Sequence, residues 1–184
     1  HLGNETVTAS LTDEQIDALR ARFWNHDEIL TWLKQHGVNS NWDMVHAHIV
    51  VTLWLMLEAY TKDHGPINVV LRTPDDVQYI GSLLHGYDVP SAGQVMRRLI
   101  NVVPDRAGKD DVFTYLSDAV SSSLGTSSRQ WTPLDSPLWQ LHFEAFQDWY
   151  FGDALYAQTY QKTPYAKGKE GFLRREQPLG TAAG

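Results

Sequence analysis

Three groups of side chains in this chain are of the types and spacings that do chemistry. Arg97 and Arg98 sit three and four residues after Gln94. On a helix they fall in the first turns, where guanidinium groups reach past a polar N-terminus and grip phosphate. Arg129, Gln130 and Trp131 supply a cation, an amide and a ring in sequence, the parts used to hold single-stranded nucleic acid without strict base preference. Glu144 and Asp148 are four residues apart, on one helical face, as paired acids or as an ordinary solvated face. The eight histidines raise a metal reading. His46 and His48, however, lie about 200° apart around a helix axis and cannot ligate one ion from one face. Ser121, Ser122 and Ser123 have no nucleophile-elbow pattern around them, and neither a Walker sequence nor GxGxxG occurs.

The elements that must carry these groups read mainly as helices. Thr12 with Gln15 is a capping box that opens a helix bearing Ile16, Leu19 and Phe23 on one face. Asp27 starts a second, with Ile29, Leu30 and Leu33, which Gly37 stops. Ser40 or Asn41 caps a long central helix from Trp42 to about Asp63, ended by Gly65-Pro66. Ile67–Arg72 and Val77–Ile80 are β-branched or aromatic, and Thr73-Pro74-Asp75-Asp76 between them has turn chemistry, which predicts a small β-hairpin. Ser91 with Gln94 makes another capping box, for a helix to about Val103 that Pro104 terminates. A helix from about Asp111 to Leu124 comes next, then a Ser/Gly/Thr-rich loop over 121–128. Ser136-Pro137 opens a long aromatic helix to about Tyr160, with Gly152 as a kink.

Composition narrows the classes. The chain has 184 residues, 42% hydrophobic, with seven Trp, enough to bury a core as one domain with tails. It has no Cys, so disulfides, thiolate-bound zinc, iron–sulfur clusters and thiol nucleophiles are excluded. The longest apolar run, Ile49–Leu57, is broken by Thr52 and too short to span a bilayer, and no signal-like segment opens the sequence. His1 in place of Met reads as a processed or trimmed start. The net charge is −7, all of it in residues 1–96, where twelve acids face five bases; residues 97–184 carry ten of each. An acidic whole weakens free-standing nucleic-acid binding but permits a local basic groove.

Several segments together resemble the coat proteins of flexuous filamentous plant viruses, the potyvirus-like group especially. From about Phe23 to Glu176 the order of segments is similar. Trp54 followed by Gly65-Pro66-Ile67-Asn68 resembles the family's core helix and the turn after it. The expected hairpin, Val69 to Ile80, resembles a two-stranded element at the same place. Gln94 and Met96 resemble part of its Thr-Leu-Arg-Gln-Ile-Met segment, and Asp148-Trp149-Tyr150 resembles its Ala-Phe-Asp-Phe-Tyr segment. Thr163-Pro164 with the basic stretch after it resembles the next segment of that family. The family's arginine is replaced here by Gly93, with Arg97 and Arg98 one turn later; its aspartate is matched by Asp148.

The resemblance implies a mainly α coat protein: a helical core over 26–162 with one small β-hairpin, flanked by an N-terminal arm or first helix (1–25) and a C-terminal arm (163–184). It implies head-to-tail self-association through the arms into a helical filament that packages single-stranded RNA. The site residues would be Gln94, Arg97, Arg98, Arg129, Trp131 and Asp148, with no catalysis, cofactor, metal or membrane, and residence in the virion and in host cytoplasm during assembly. The competing expectation is a small all-α enzyme or cofactor-binding bundle built on His46, His142, Glu144 or Asp148. A helical protein-interaction module is a third.

Overall fold

The computed structural model describes residues 12–164 and Gly171. The segments 1–11, 165–170 and 172–184, which include the start of the expected N-terminal arm and most of the C-terminal one, lie outside the described residues. The described chain is helical: α1 (Asp13–Trp24), α2 (Glu28–Gln35), α3 (Asn41–His64), α4 (Pro74–Leu83), α5 (Ala92–Val102), α6 (Lys109–Leu124), a 3-10 helix (Thr126–Gln130), α7 (Pro137–Phe151) and α8 (Asp153–Tyr160). It divides into two compact units, one of them Leu11–Leu141 and the other containing His142 onward, so that the division falls within α7.

Local chemistry sets most of the boundaries. Thr12, Ser40, Thr73 and Ser91 all cap helices by accepting a hydrogen bond from a backbone N–H three residues on. Ser136 does the same for α7, accepting from the Trp139 N–H at 3.2 Å while donating to the Trp131 carbonyl at 3.1 Å. Gly65 ends α3 at φ 85°, a backbone region that a side chain would strain.

The expected hairpin is not there. Residues 74–83 form α4, and the stretch that reads as a turn is a helix start. The Thr73 hydroxyl accepts from the Asp76 N–H at 3.2 Å, and the Asp76 carboxylate accepts from the Thr73 and Arg72 N–H groups, each at 2.9 Å. Pro74 stands at the first helical position, where its missing N–H costs nothing. Helical spacing then turns Ile80 and Leu84 inward together, with Val77 half-buried beside them. Residues 67–72 form no regular element, with Val69 and Leu71 buried and Val70 outward, and no strand occurs among the described residues. The serine-rich loop is also shorter than expected: residues 121–124 finish α6 and Thr126–Gln130 make the 3-10 helix. Gly152, at φ 79°, divides the expected aromatic helix into α7 and α8 rather than bending it.

Within Leu11–Leu141 the core has two continuous clusters. Ile29, Leu33, Ala47, Val51, Val95, Leu99, Val112 and Leu116 pack α2, α3, α5 and α6 together. Val50, Trp54, Leu57, Leu71, Ile80, Val120, Trp131 and Leu138 fill the space between the other side of α3, the 67–72 segment, α4 and the start of α7. Both clusters take residues from α3, which is why its apolar side chains cover more than one face. Length and composition alone would let α3 cross a membrane. Its buried Asp43, His46 and His48 are instead satisfied by neighbouring elements.

Candidate functional site

The two arginines of α5 have different surroundings. Arg97 is exposed. Arg98 lies across the α3 surface: its two terminal nitrogens donate to the two Glu58 carboxylate oxygens at 3.1 and 2.7 Å, and its guanidinium carbon stands 4.2 Å from the Trp54 ring centre. Ser123 of α6 donates to the same carboxylate at 2.5 Å. Burial pushes the Glu58 carboxyl up, but the hydrogen bonds from Arg98 and Ser123 and the Arg98 charge outweigh it, holding the pKa below the usual range. This bidentate, ring-stacked arrangement ties α3, α5 and α6 together. It also occupies the groups with which Arg98 would grip a phosphate.

Arg129, on the 3-10 helix, is exposed but turned back onto α6, donating to Ser121 at 3.0 Å and pairing with Asp118 at 2.9 Å. Gln130 accepts a hydrogen bond from Arg72. Trp131 is fully buried in the second core cluster, which overturns its expected role as a stacking platform. Its ring anchors the 3-10 helix and its face is covered by protein. Gln94 is the third residue of α5; its side-chain oxygen accepts from the Ser91 N–H at 2.8 Å and closes the capping box.

The histidines cross-link the bundle. His46 Nε2 donates to the Thr132 carbonyl at 2.9 Å, and its ring stacks near Phe113. Burial drives its pKa down to about 4, against the smaller upward pull of that carbonyl. His48 Nε2 donates to the Phe23 carbonyl at 2.8 Å and its ring stacks on the Phe23 ring at 3.8 Å; burial again lowers its pKa to about 4. Both are neutral at pH 7 and directed at backbone carbonyls. Asp43, nearly inaccessible at the first turn of α3, accepts from the Trp139 indole N–H at 2.8 Å and pairs with Lys109 at 2.7 Å. Burial raises its pKa, and hydrogen bonds from Lys109, Ser40 and Trp139 together with the Lys109 charge more than reverse that. Among the described residues no three His or carboxylate groups converge as a metal site would require.

In the unit from His142 onward, Glu144 pairs with Lys162, Asp148 is buried, and His142 is half-buried. Burial, and then the negative charges of Glu144 and Asp148, push the Tyr156 hydroxyl up to about 12. Asp148 thus stands in a buried setting beside Gln147, while Gln94, Arg97, Arg98, Arg129 and Trp131 belong to the other unit. Within that unit the structure does not bring them into one site: Gln94 and Arg98 are engaged locally, Trp131 is interior, and Arg97 and Arg129 lie on different elements.

A polar cluster that sequence reasoning passed over lies where α3 ends. The Tyr87 hydroxyl donates to Asp63 at 3.0 Å and lies 3.1 Å from His64 Nδ1, and the His64 ring stacks on Tyr60 with centres 4.5 Å apart. Beside it opens a cavity of about 550 Å³, lined on one side by Leu55, Met56, Ala59, Lys62 and Asp63 and on the other by the 87–94 segment. The available signal was the spacing 55, 56, 59, 62 and 63, one stripe along the solvent side of α3.

No protein-family model matches the chain, and no curated protein does. A solved structure, the X-ray structure of a structural-genomics target, is similar to it with a TM-score of 0.75 and 26% identity. The likeness covers 94% of this chain and 45% of that one, so the chain spans less than half the length of the structure it resembles. The target is described by no activity.

Proposed function

We propose that the chain is a self-associating helical subunit, and that it serves as a coat protein whose filaments package single-stranded RNA. The observation that carries the first step is the set of large apolar side chains left on the surface of separate elements: Tyr79 of α4 at 60% exposure, Val89 before α5 at 72%, and Ile100 and Tyr115 of α5 and α6. A subunit that polymerises head to tail needs contact surfaces on more than one side, and apolar patches on different elements supply them. The polar groups that an enzyme would need point the other way: His46, His48, Asp43 and Glu58 are committed to holding helices together.

The RNA step rests on the resemblance of the Gln94–Met96 and Asp148–Tyr150 segments and on Arg97. With Arg98 paired to Glu58, Arg97 is the α5 guanidinium presented to solvent. Weak contacts at each subunit suffice when repeated along a filament, so an acidic chain is compatible with packaging. The experiment is electron microscopy of the purified protein with nuclease-protected RNA measured on the same sample. Filaments that contain RNA, and that lose RNA but keep their form in Arg97→Glu, are the expected result. Monodisperse particles of one subunit, or filaments whose RNA content Arg97→Glu leaves untouched, would overturn the coat reading.

A further inference from the structure

We infer that the groove between the C-terminal half of α3 and residues 87–94 receives the basic segment 165–175 of a second copy of the chain; this rests on the self-association proposed above and names its surface. The floor of the groove is apolar. Leu55, Met56 and Ala59 lie on one stripe of α3, and Val89 and Pro90 face them from the segment that leads into α5. Its wall is ordered, because the Tyr87 hydroxyl is held by Asp63 and His64. A volume of about 550 Å³ suits several side chains of an extended peptide rather than one. Val89, the most exposed large apolar side chain among the described residues, stands at its edge and gains most by being covered.

Charge identifies the occupant. Residues 55–94 carry five acids and two bases, a net charge of −3, and Asp63 and Asp88 line the groove itself. Residues 165–175 read YAKGKEGFLRR: four bases and one acid, a net charge of +3, with Phe172 and Leu173 set between Lys169 and Arg174-Arg175. The pattern is complementary in kind as well as in sign. Two large apolar side chains match the apolar floor, the flanking bases match Asp63 and Asp88, and Glu170 has Lys62 to meet. Electrostatic matching of this sort fixes register and partner choice, while the buried apolar pair supplies most of the affinity.

The test is sedimentation velocity on the full chain at several protein and salt concentrations. The parent associates, and Val89→Asp weakens association by about tenfold or more, since a charge then replaces an apolar group at the edge. Asp88→Lys weakens it as well, and so does Arg174→Glu. Combining Asp88→Lys with Arg174→Glu restores much of the loss, because the pair is attractive again with its signs exchanged. Val89 and Asp88 are exposed, so unchanged thermal melts should accompany the Val89 and Asp88 variants. A monomeric parent, association indifferent to Val89→Asp, or a charge exchange that rescues nothing would overturn the inference. RNA-containing filaments that ignore these groove variants would remove the groove and leave the coat reading standing. Pairing through the groove without filaments or RNA would do the reverse.

Discussion

Lowering the pH from 7 to 5 should destabilise the fold through two side chains that bear no charge in it. His46 and His48 have pKa values of about 4 in the folded chain against 6.5 when exposed, because burial disfavours the charged ring. Between those values the unfolded chain takes up protons that the folded chain refuses. Stability contributed by the neutral rings is therefore complete above pH 6.5 and drains away as the pH falls toward 4. Integrating over the interval from pH 7 to 5 gives a loss of about 2 kcal/mol for each ring, about 4 kcal/mol together. That is a large share of the ~5–15 kcal/mol typical of a domain. Asp43 and Glu58 act in the same direction but at lower pH. Their lowered pKa values lend stability that is lost only as the pH falls below the ordinary carboxylate values of 3.8 and 4.5. Urea denaturation followed by circular dichroism at pH 7, 6 and 5 measures the slope. The double variant His46→Gln with His48→Gln keeps side-chain N–H donors without the titration and should lose most of the pH dependence. Equal stability of the parent at pH 7 and 5, or an undiminished slope in the double variant, would refute the argument.

Removal of the α4 cap by Thr73→Ala should cost about 1 kcal/mol, read as a lower urea midpoint; a hairpin at this place would not respond to the loss of a helix cap. Arg98→Ala and Glu58→Gln should each destabilise, with a coupling energy of about 2 kcal/mol in the double-mutant cycle, because the pair is bidentate and only partly exposed. Trp131→Ala should cost about 3–5 kcal/mol, the range for emptying a buried aromatic site. Trp131→Phe should retain most of that stability, and a ring that served RNA from the surface would show neither effect in thermal melts.

Helix boundaries were legible wherever one short-range rule decided them. The Thr12, Ser40 and Ser91 caps and the Gly65-Pro66 stop need only neighbours within four residues, and all stand where their sequence places them. Thr73-Pro74-Asp75-Asp76 failed the same reading because Pro and Asp suit a turn and a helix start equally. The deciding term was Ile80 and Leu84 reaching the core together at helical spacing. The candidate site was less legible because its partners are remote in sequence. Glu58 is forty residues from Arg98, and nothing near Arg98 announces that its fork is already taken. Trp131 sits between Gln130, exposed, and Thr132, buried, so its polar neighbours on one side gave the wrong sign. Helix geometry sets His46 and His48 on different faces of α3, but the carbonyls they meet lie eighty-six and twenty-five residues away.

The buried Asp43 carboxylate sets a minimum length for anything that folds like this. Two of its three side-chain partners arrive late in the chain, Lys109 at the first residue of α6 and Trp139 in the first turn of α7. A nascent or truncated chain that stops before residue 139 would confine a carboxylate whose indole partner has not yet been made. With Ser40 and Lys109 already present, the missing indole leaves the buried carboxylate one hydrogen bond short, and that unmet bond loosens the first turn of α3 until then. Folding of the Leu11–Leu141 unit during synthesis is thereby tied to emergence of its last few residues. Proteolytic or engineered fragments should show a sharp threshold there, with those ending at about 135 loosely packed and those ending after Leu141 cooperative.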